Sequence, residues 1–120
     1  MLYRRTVLIS GLWLAPAAAF AHHGWVWAED EEFTLEGVVR EARLGNPHGE
    51  LDLDAADGAW TAEIGQPWRN ERAGLTDAML VPGLALTLEG HRSQNPDERV
   101  MKAERVIVAG KLYDLYPDRS

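Results

Sequence analysis

The chain has 120 residues, with 12 Lys and Arg against 19 Asp and Glu, a net charge of −7 and no cysteine. A field of that sign repels phosphate backbones and anionic lipid and attracts cations, which argues against DNA, RNA or an anionic membrane as partner. Without cysteine there is neither a disulfide framework nor a thiolate site, and a length near one hundred residues suits one domain with a single core.

Residues 1–21 read as an export signal. Arg4 and Arg5 give a positive start, "TVLISGLWLAPAAAF" an apolar run, and Ala19-Phe20-Ala21 a small-x-small cleavage site. The run is short for an uncleaved membrane anchor and ends in a cleavage pattern, not a stop-transfer one. The paired arginines have a twin-arginine flavour, with the ordinary secretory route ahead of it. Cleavage after Ala21 predicts a periplasmic chain of residues 22–120, free of the membrane, with His22 at its amino terminus. Loss of Arg4 and Arg5 leaves ten basic residues against nineteen acidic ones, a net charge of −9.

Residues 22–32 form an arm in which Trp25-Val26-Trp27 alternates like extended chain, followed by the acidic run Glu29-Asp30-Glu31-Glu32. The body, residues 33–120, begins with "FTLEGVVREARL", whose alternation changes phase beside Gly37, as in a bulged or bent strand. Gly45-Asn46-Pro47-His48-Gly49 is turn chemistry. "ELDLDA" points Leu51 and Leu53 to one face, Ala56-Asp57-Gly58 makes a hairpin, and "AWTAEI" returns with Trp60, Ala62 and Ile64 on one face. "WRNERAGL" (68–75) predicts a short helix between Pro67 and Gly74, with a further helical turn near residues 76–80. After Pro82-Gly83, "LALTLEGH" and "VMKAERVIVAG" are two more strands, and the tail carries Tyr113 and Tyr116. A long bent strand, a hairpin, a short helix and two strands is the order of an OB-like barrel: all-β, five antiparallel strands, one helix between strands three and four. A small antiparallel sandwich fits the pattern less well, because the mid-strand glycine and the helix position favour the barrel.

Several motifs occur together: His22-His23-Gly24, Leu35-Glu36-Gly37-Val38-Val39, Asn46-Pro47-His48, Trp60-Thr61-Ala62-Glu63, and Pro82-Gly83 before a strand ending in Gly90. In combination they resemble a family of small exported bacterial proteins of unknown function. Its members start with a His-His-Ser-type end and carry an Asn-Pro-His turn. This chain departs from it at Gly24, where serine is usual, and at Glu71–Leu75, where the family's helix is more apolar. The resemblance implies no activity.

Function therefore rests on the four histidines. A free His22 offers its α-amine and its ring together, a chelate no internal histidine can make, and the amine can lose its proton to a metal near neutral pH. One further histidine in space completes a three-nitrogen set resembling a histidine brace. His23 offers a rival set of amine, deprotonated amide and its own ring. Both sets are nitrogen-rich and tetragonal, which points to copper, as Cu(II), before zinc. His48, in the loop between strands one and two, and His91, at the end of strand four, belong to loops that flank one face of an OB barrel. If the arm folds back along strand one, His22 ends near Leu44, close to His48.

Each feature also has a plainer reading. The paired histidines can be a polar start to the mature chain, His48 a turn cap and His91 a solvated strand end. The acidic run can be solvated, Trp25 and Trp27 can cover barrel surface, Trp60 can be core, Trp68 can pack the helix, and Met79 and Met101 can fill core. Nothing points to catalysis: there is no Cys nucleophile, no Gly-x-Ser-x-Gly elbow and no marked carboxylate pair. Two functions remain open. One is a periplasmic metal-binding protein using His22, His23, His48 and His91, as carrier, buffer or sensor. The other is a metal-free OB-type module for a small ligand or an envelope protein partner.

Overall fold

A computed structural model describes residues 24–119. The signal segment 1–21, His22 and His23 lie outside the described residues. Strand β1 (Phe33–Arg43) is the long bent strand expected. Its first half pairs antiparallel with β4 (Ala85–Arg92), from Phe33 opposite Gly90 to Val38 opposite Ala85. Its second half pairs with β2 (Glu50–Ala55), from Gly37 opposite Ala55 to Arg43 opposite Glu50. The phase change of the sequence is a bulge between Val39 and Glu41, a little beyond Gly37. Gly37 itself lies where a Cβ would stand 3.1 Å from the Asp54 carbonyl oxygen.

Strand β3 (Gly58–Glu63) forms the expected hairpin with β2, and the buried Leu51, Leu53, Trp60, Ala62 and Ile64 put the alternating face into the core. Helix α1 (Pro67–Ala73) starts with proline in its first turn and stops at Gly74, in the left-handed region at φ 91°. Buried Asn70 ties the helix to the end of β3, its side chain accepting from the Gly65 N–H at 3.1 Å and donating to the Gly65 carbonyl at 3.0 Å. A 3-10 turn (Asp77–Met79) supplies the extra helical turn. Trp68 does not pack the helix down: it is 51% exposed, with the Arg69 and Arg72 guanidinium carbons 4.5 and 5.1 Å from its ring.

Strand β5 (Val100–Val108) pairs antiparallel with β4 and, through Thr61–Glu63 opposite Val100–Lys102, parallel with β3. That pairing closes a five-stranded OB-like barrel, so the barrel is mixed at one seam and not wholly antiparallel. A sixth strand, β6 (Lys111–Asp114), extends β5 as a hairpin where the sequence suggested only a tail. Among the described residues no helix is long and apolar enough to cross a membrane.

Candidate metal-binding site

The site grows from an irregularity in the β4–β5 ladder. Glu89 is opposite Arg105, but Gly90 is opposite Ala103, so Glu104 is an extra residue bulged out of register. A bulge re-aims side chains. Here it lets neighbouring residues touch, with Arg105 Nη1 donating to Glu104 Oε1 at 2.7 Å. Met101 and Ala103 belong to the core, so alternation sends Lys102 and Glu104 to the barrel's outer face. Both are nevertheless buried, at 1% and 2% exposure.

Two segments cover that face. The arm docks at the end of β4: Ala28 bridges to Ser93, the Glu29 N–H donates to the Arg92 carbonyl at 2.8 Å, and the Gln94 N–H donates to the Trp27 carbonyl at 3.0 Å. It therefore runs beside the end of β4, not back along β1. The carboxyl-terminal segment crosses the same face, with Leu115 and Tyr116 buried and the Leu115 N–H donating to the Glu104 carbonyl at 2.9 Å.

Trp25 is the joint between these parts. Its ring meets Tyr116 edge-on at 5.0 Å and His91 edge-on at 5.8 Å between centroids. The Arg119 guanidinium stands 3.9 Å from the ring centroid and the Lys102 ammonium 4.8 Å. The indole face attracts both cations. Lys102 in turn forms an ion pair with Glu63, its partner across the β3–β5 seam. Glu63 Oε1 lies 3.7 Å from Nδ1 of His48, which is held near the end of β3 because the Gly49 N–H donates to the Gly65 carbonyl at 3.1 Å and the Ile64 N–H donates to the Gly49 carbonyl at 2.9 Å. His48 and His91 thus belong to one continuous network, His48–Glu63–Lys102–Trp25–His91.

His91 is not a solvated strand end; it is buried at 6% exposure. Its Nε2 lies 2.8 Å from Glu104 Oε2 and 3.5 Å from Glu32 Oε2, and its Nδ1 lies 3.0 Å from the Glu31 carbonyl. The acidic run is thus only partly a solvated patch. Burial alone would raise the Glu104 carboxyl pKa; hydrogen bonds from Arg119, His91 and Arg105 outweigh it and hold the group below the usual carboxylate range. A carboxylate whose folded pKa is lowered stabilises the fold above its unfolded pKa, near 4.3, and loses that contribution as pH falls through the folded value. The thermal midpoint should therefore hold from neutrality to about pH 5 and then fall, and the acid fall should be shallower in Glu104→Gln. Equal acid slopes in the two proteins would refute the assignment.

Sequence reasoning placed His48 and His91 on one side of the barrel but missed Glu63, Lys102, Glu104, Arg105 and Arg119. Lys102 and Glu104 sit at outward positions of a strand and read as solvated. The available signal was the apolar tail, Leu115 and Tyr116, which had to cover something. A hollow of about 590 Å³ lies elsewhere, lined by Gly37, Val38, Asp54, Ala85 and Ile107 among others, with no histidine in its lining.

Among solved structures the chain is similar to the Stn1–Ten1 complex of S. pombe, with TM-score 0.53 and 10% identity over 67% of this chain and 59% of that one. It is also similar to a ZRD-deleted mutant of TiaS in complex with agmatine, with TM-score 0.53 and 15% identity over 71% of this chain. TiaS in complex with tRNA and ATP matches at TM-score 0.50 and 16% identity over 65% of this chain. The chain spans only 26% and 18% of those two TiaS chains, and at such identities the likeness concerns the fold alone. No curated protein matches. The model of a family of unknown function, DUF6152, matches residues 11–102, and the chain belongs to that family.

Proposed function

We propose that this is an exported, periplasmic metal-binding protein that takes one Cu(II), through the His22 amine and ring together with His48. His23 is the alternative ligand. It acts as a carrier, buffer or sensor and not as an enzyme. The observation that carries the reading is the position of Trp25 between the two internal histidines. His22 is three residues before Trp25, and chain connectivity keeps their Cα atoms within about 11 Å. On this reading the anchored arm lets a free amino-terminal histidine reach the His48 loop. Glu63 Oε1, 3.7 Å from His48 Nδ1, adds negative charge beside the ring, which favours a cation there. The signal-like residues 1–21 and the acidic charge agree with export and with cation binding.

Cu(II) titration of protein starting at His22 tests this directly. His48→Ala should weaken binding about tenfold or more, with the barrel's thermal midpoint nearly unchanged, because a loop histidine contributes little core. Unchanged affinity would refute His48 as ligand. A second reading, a metal-free OB-type module for a small ligand or an envelope partner, is favoured by exposed Trp68 flanked by Arg69 and Arg72 on α1. Loss of partner binding in Trp68→Ala, with no metal affinity in the parent, would support it instead.

A further inference from the structure

We propose that Glu32, His91 and Glu104 form a second cation site, separate from the amino-terminal chelate and suited to one divalent ion of the zinc class. One ligand atom from each of the three lies within 4.8 Å of the others. In a tetrahedral shell with bonds of about 2.1 Å, neighbouring ligand atoms stand about 3.4 Å apart. The His91 Nε2 to Glu32 Oε2 separation is already 3.5 Å, and the 2.8 Å separation to Glu104 Oε2 needs to open by only about half an ångström. One imidazole with two carboxylates is a donor set that zinc accepts.

Two observations outside the three ligands point the same way. The first is the ring. A backbone carbonyl only accepts, so the contact at Nδ1 makes that nitrogen the N–H donor to Glu31. In the neutral ring, Nε2 is then a lone pair facing a carboxylate oxygen, two acceptors in contact within a buried setting. A metal ion placed between these atoms would be held by all of them at once. A histidine whose other nitrogen is held by a backbone carbonyl is also the usual arrangement at metal centres.

The second is Arg105. Its Nη2 binds Glu32 Oε1 at 2.6 Å and its Nη1 binds Glu104 Oε1 at 2.7 Å. One guanidinium thus holds the outer oxygen of each carboxylate and leaves both Oε2 atoms directed at His91 Nε2. Arg105 is itself fixed by Glu89 at 2.9 Å. The Glu32 side chain is 58% exposed and opens the site to solvent, where water completes the shell. One group competes: Arg119 Nε donates to Glu104 Oε2 at 2.9 Å from a side chain 41% exposed, and an ion bound at Oε2 displaces that bond.

The test uses mature protein carrying His22→Ala, His23→Ala and His48→Ala, which removes the histidines of the amino-terminal chelate. Zn(II) titrated against a chromophoric chelator should still bind at one ion per chain. Co(II) in its place should give the visible absorption of a low-symmetry four-coordinate ion. Glu32→Gln, an exposed change that leaves the barrel's thermal midpoint in place, should weaken Zn(II) at least tenfold, and His91→Ala about a hundredfold. No Zn(II) bound, or binding unaffected by Glu32→Gln, would overturn the second site. Neither result touches the copper reading, which is tested on the native amino terminus.

Discussion

Replacing Gly90 with alanine should destabilise the barrel by about 3 kcal/mol and lower its thermal midpoint by roughly 15 °C, well beyond an ordinary surface change. The cause is the bulge at Glu104. Where β5 carries one residue too many, β4 has Gly90 opposite, and the two backbones approach without room for a side chain. A Cβ there would overlap the Lys102 carbonyl oxygen and stand 2.9 Å from the Ala103 Cα and 3.0 Å from the Glu104 nitrogen. All three neighbours are backbone, so no rotamer change relieves the overlap; the ladder must open. Opening it disturbs the residues that aim Lys102, Glu104 and Arg105. Thermal unfolding followed by circular dichroism measures the effect. A midpoint within about 4 °C of the parent would show that β4 and β5 are not in this register.

Removing the Trp25 ring should weaken Cu(II) binding about tenfold or more while the barrel stays folded. The ring is the only part of the arm's start that meets His91, Tyr116, Arg119 and Lys102 together among the described residues. On the proposed reading the amino-terminal histidine would then have to be ordered beside the His48 loop at the moment of binding. Trp25→Phe keeps an aromatic face for both cations and should restore most of the affinity. A double-mutant cycle makes the coupling explicit: His48→Ala should cost much less affinity in the Trp25→Ala background than in the parent. Equal losses in both backgrounds would show that the arm does not position the chelate.

The parts of the fold legible in the sequence are those set by local pattern. Leu51 and Leu53 alternate with acids, Trp60, Ala62 and Ile64 share a parity, and Pro67 and Gly74 bracket the helix; each matches the element observed. What was not legible depends on contacts between distant segments. Lys102 and Glu104 look solvated by parity, and only the docking of the arm and tail over β5 buries them. The docking route of the arm was also missed, because it depends on an indole meeting cations from residues 102 and 119. Gly90 carried a usable signal: a glycine within an otherwise regular strand marks a bulge or a close backbone approach. His48 and His91 were placed on one side by loop order alone, but the carboxylates that hold them come from strand positions no spacing rule selects.

The central claim is that a free amino-terminal histidine, held beside His48 by the anchored arm, binds copper. Electron paramagnetic resonance of the Cu(II) protein, compared between a chain starting at a free His22 and the same chain with that amine acetylated, tests that claim most directly. Acetylation leaves every side chain in place and removes only the free amine. The account predicts a tetragonal, nitrogen-rich spectrum for the free start, a changed spectrum for the acetylated chain, and affinity weaker by about a hundredfold in the latter, near 2.7 kcal/mol. Identical spectra and equal affinities would show that the amine is not a ligand and that the paired histidines are only the polar start of the mature chain.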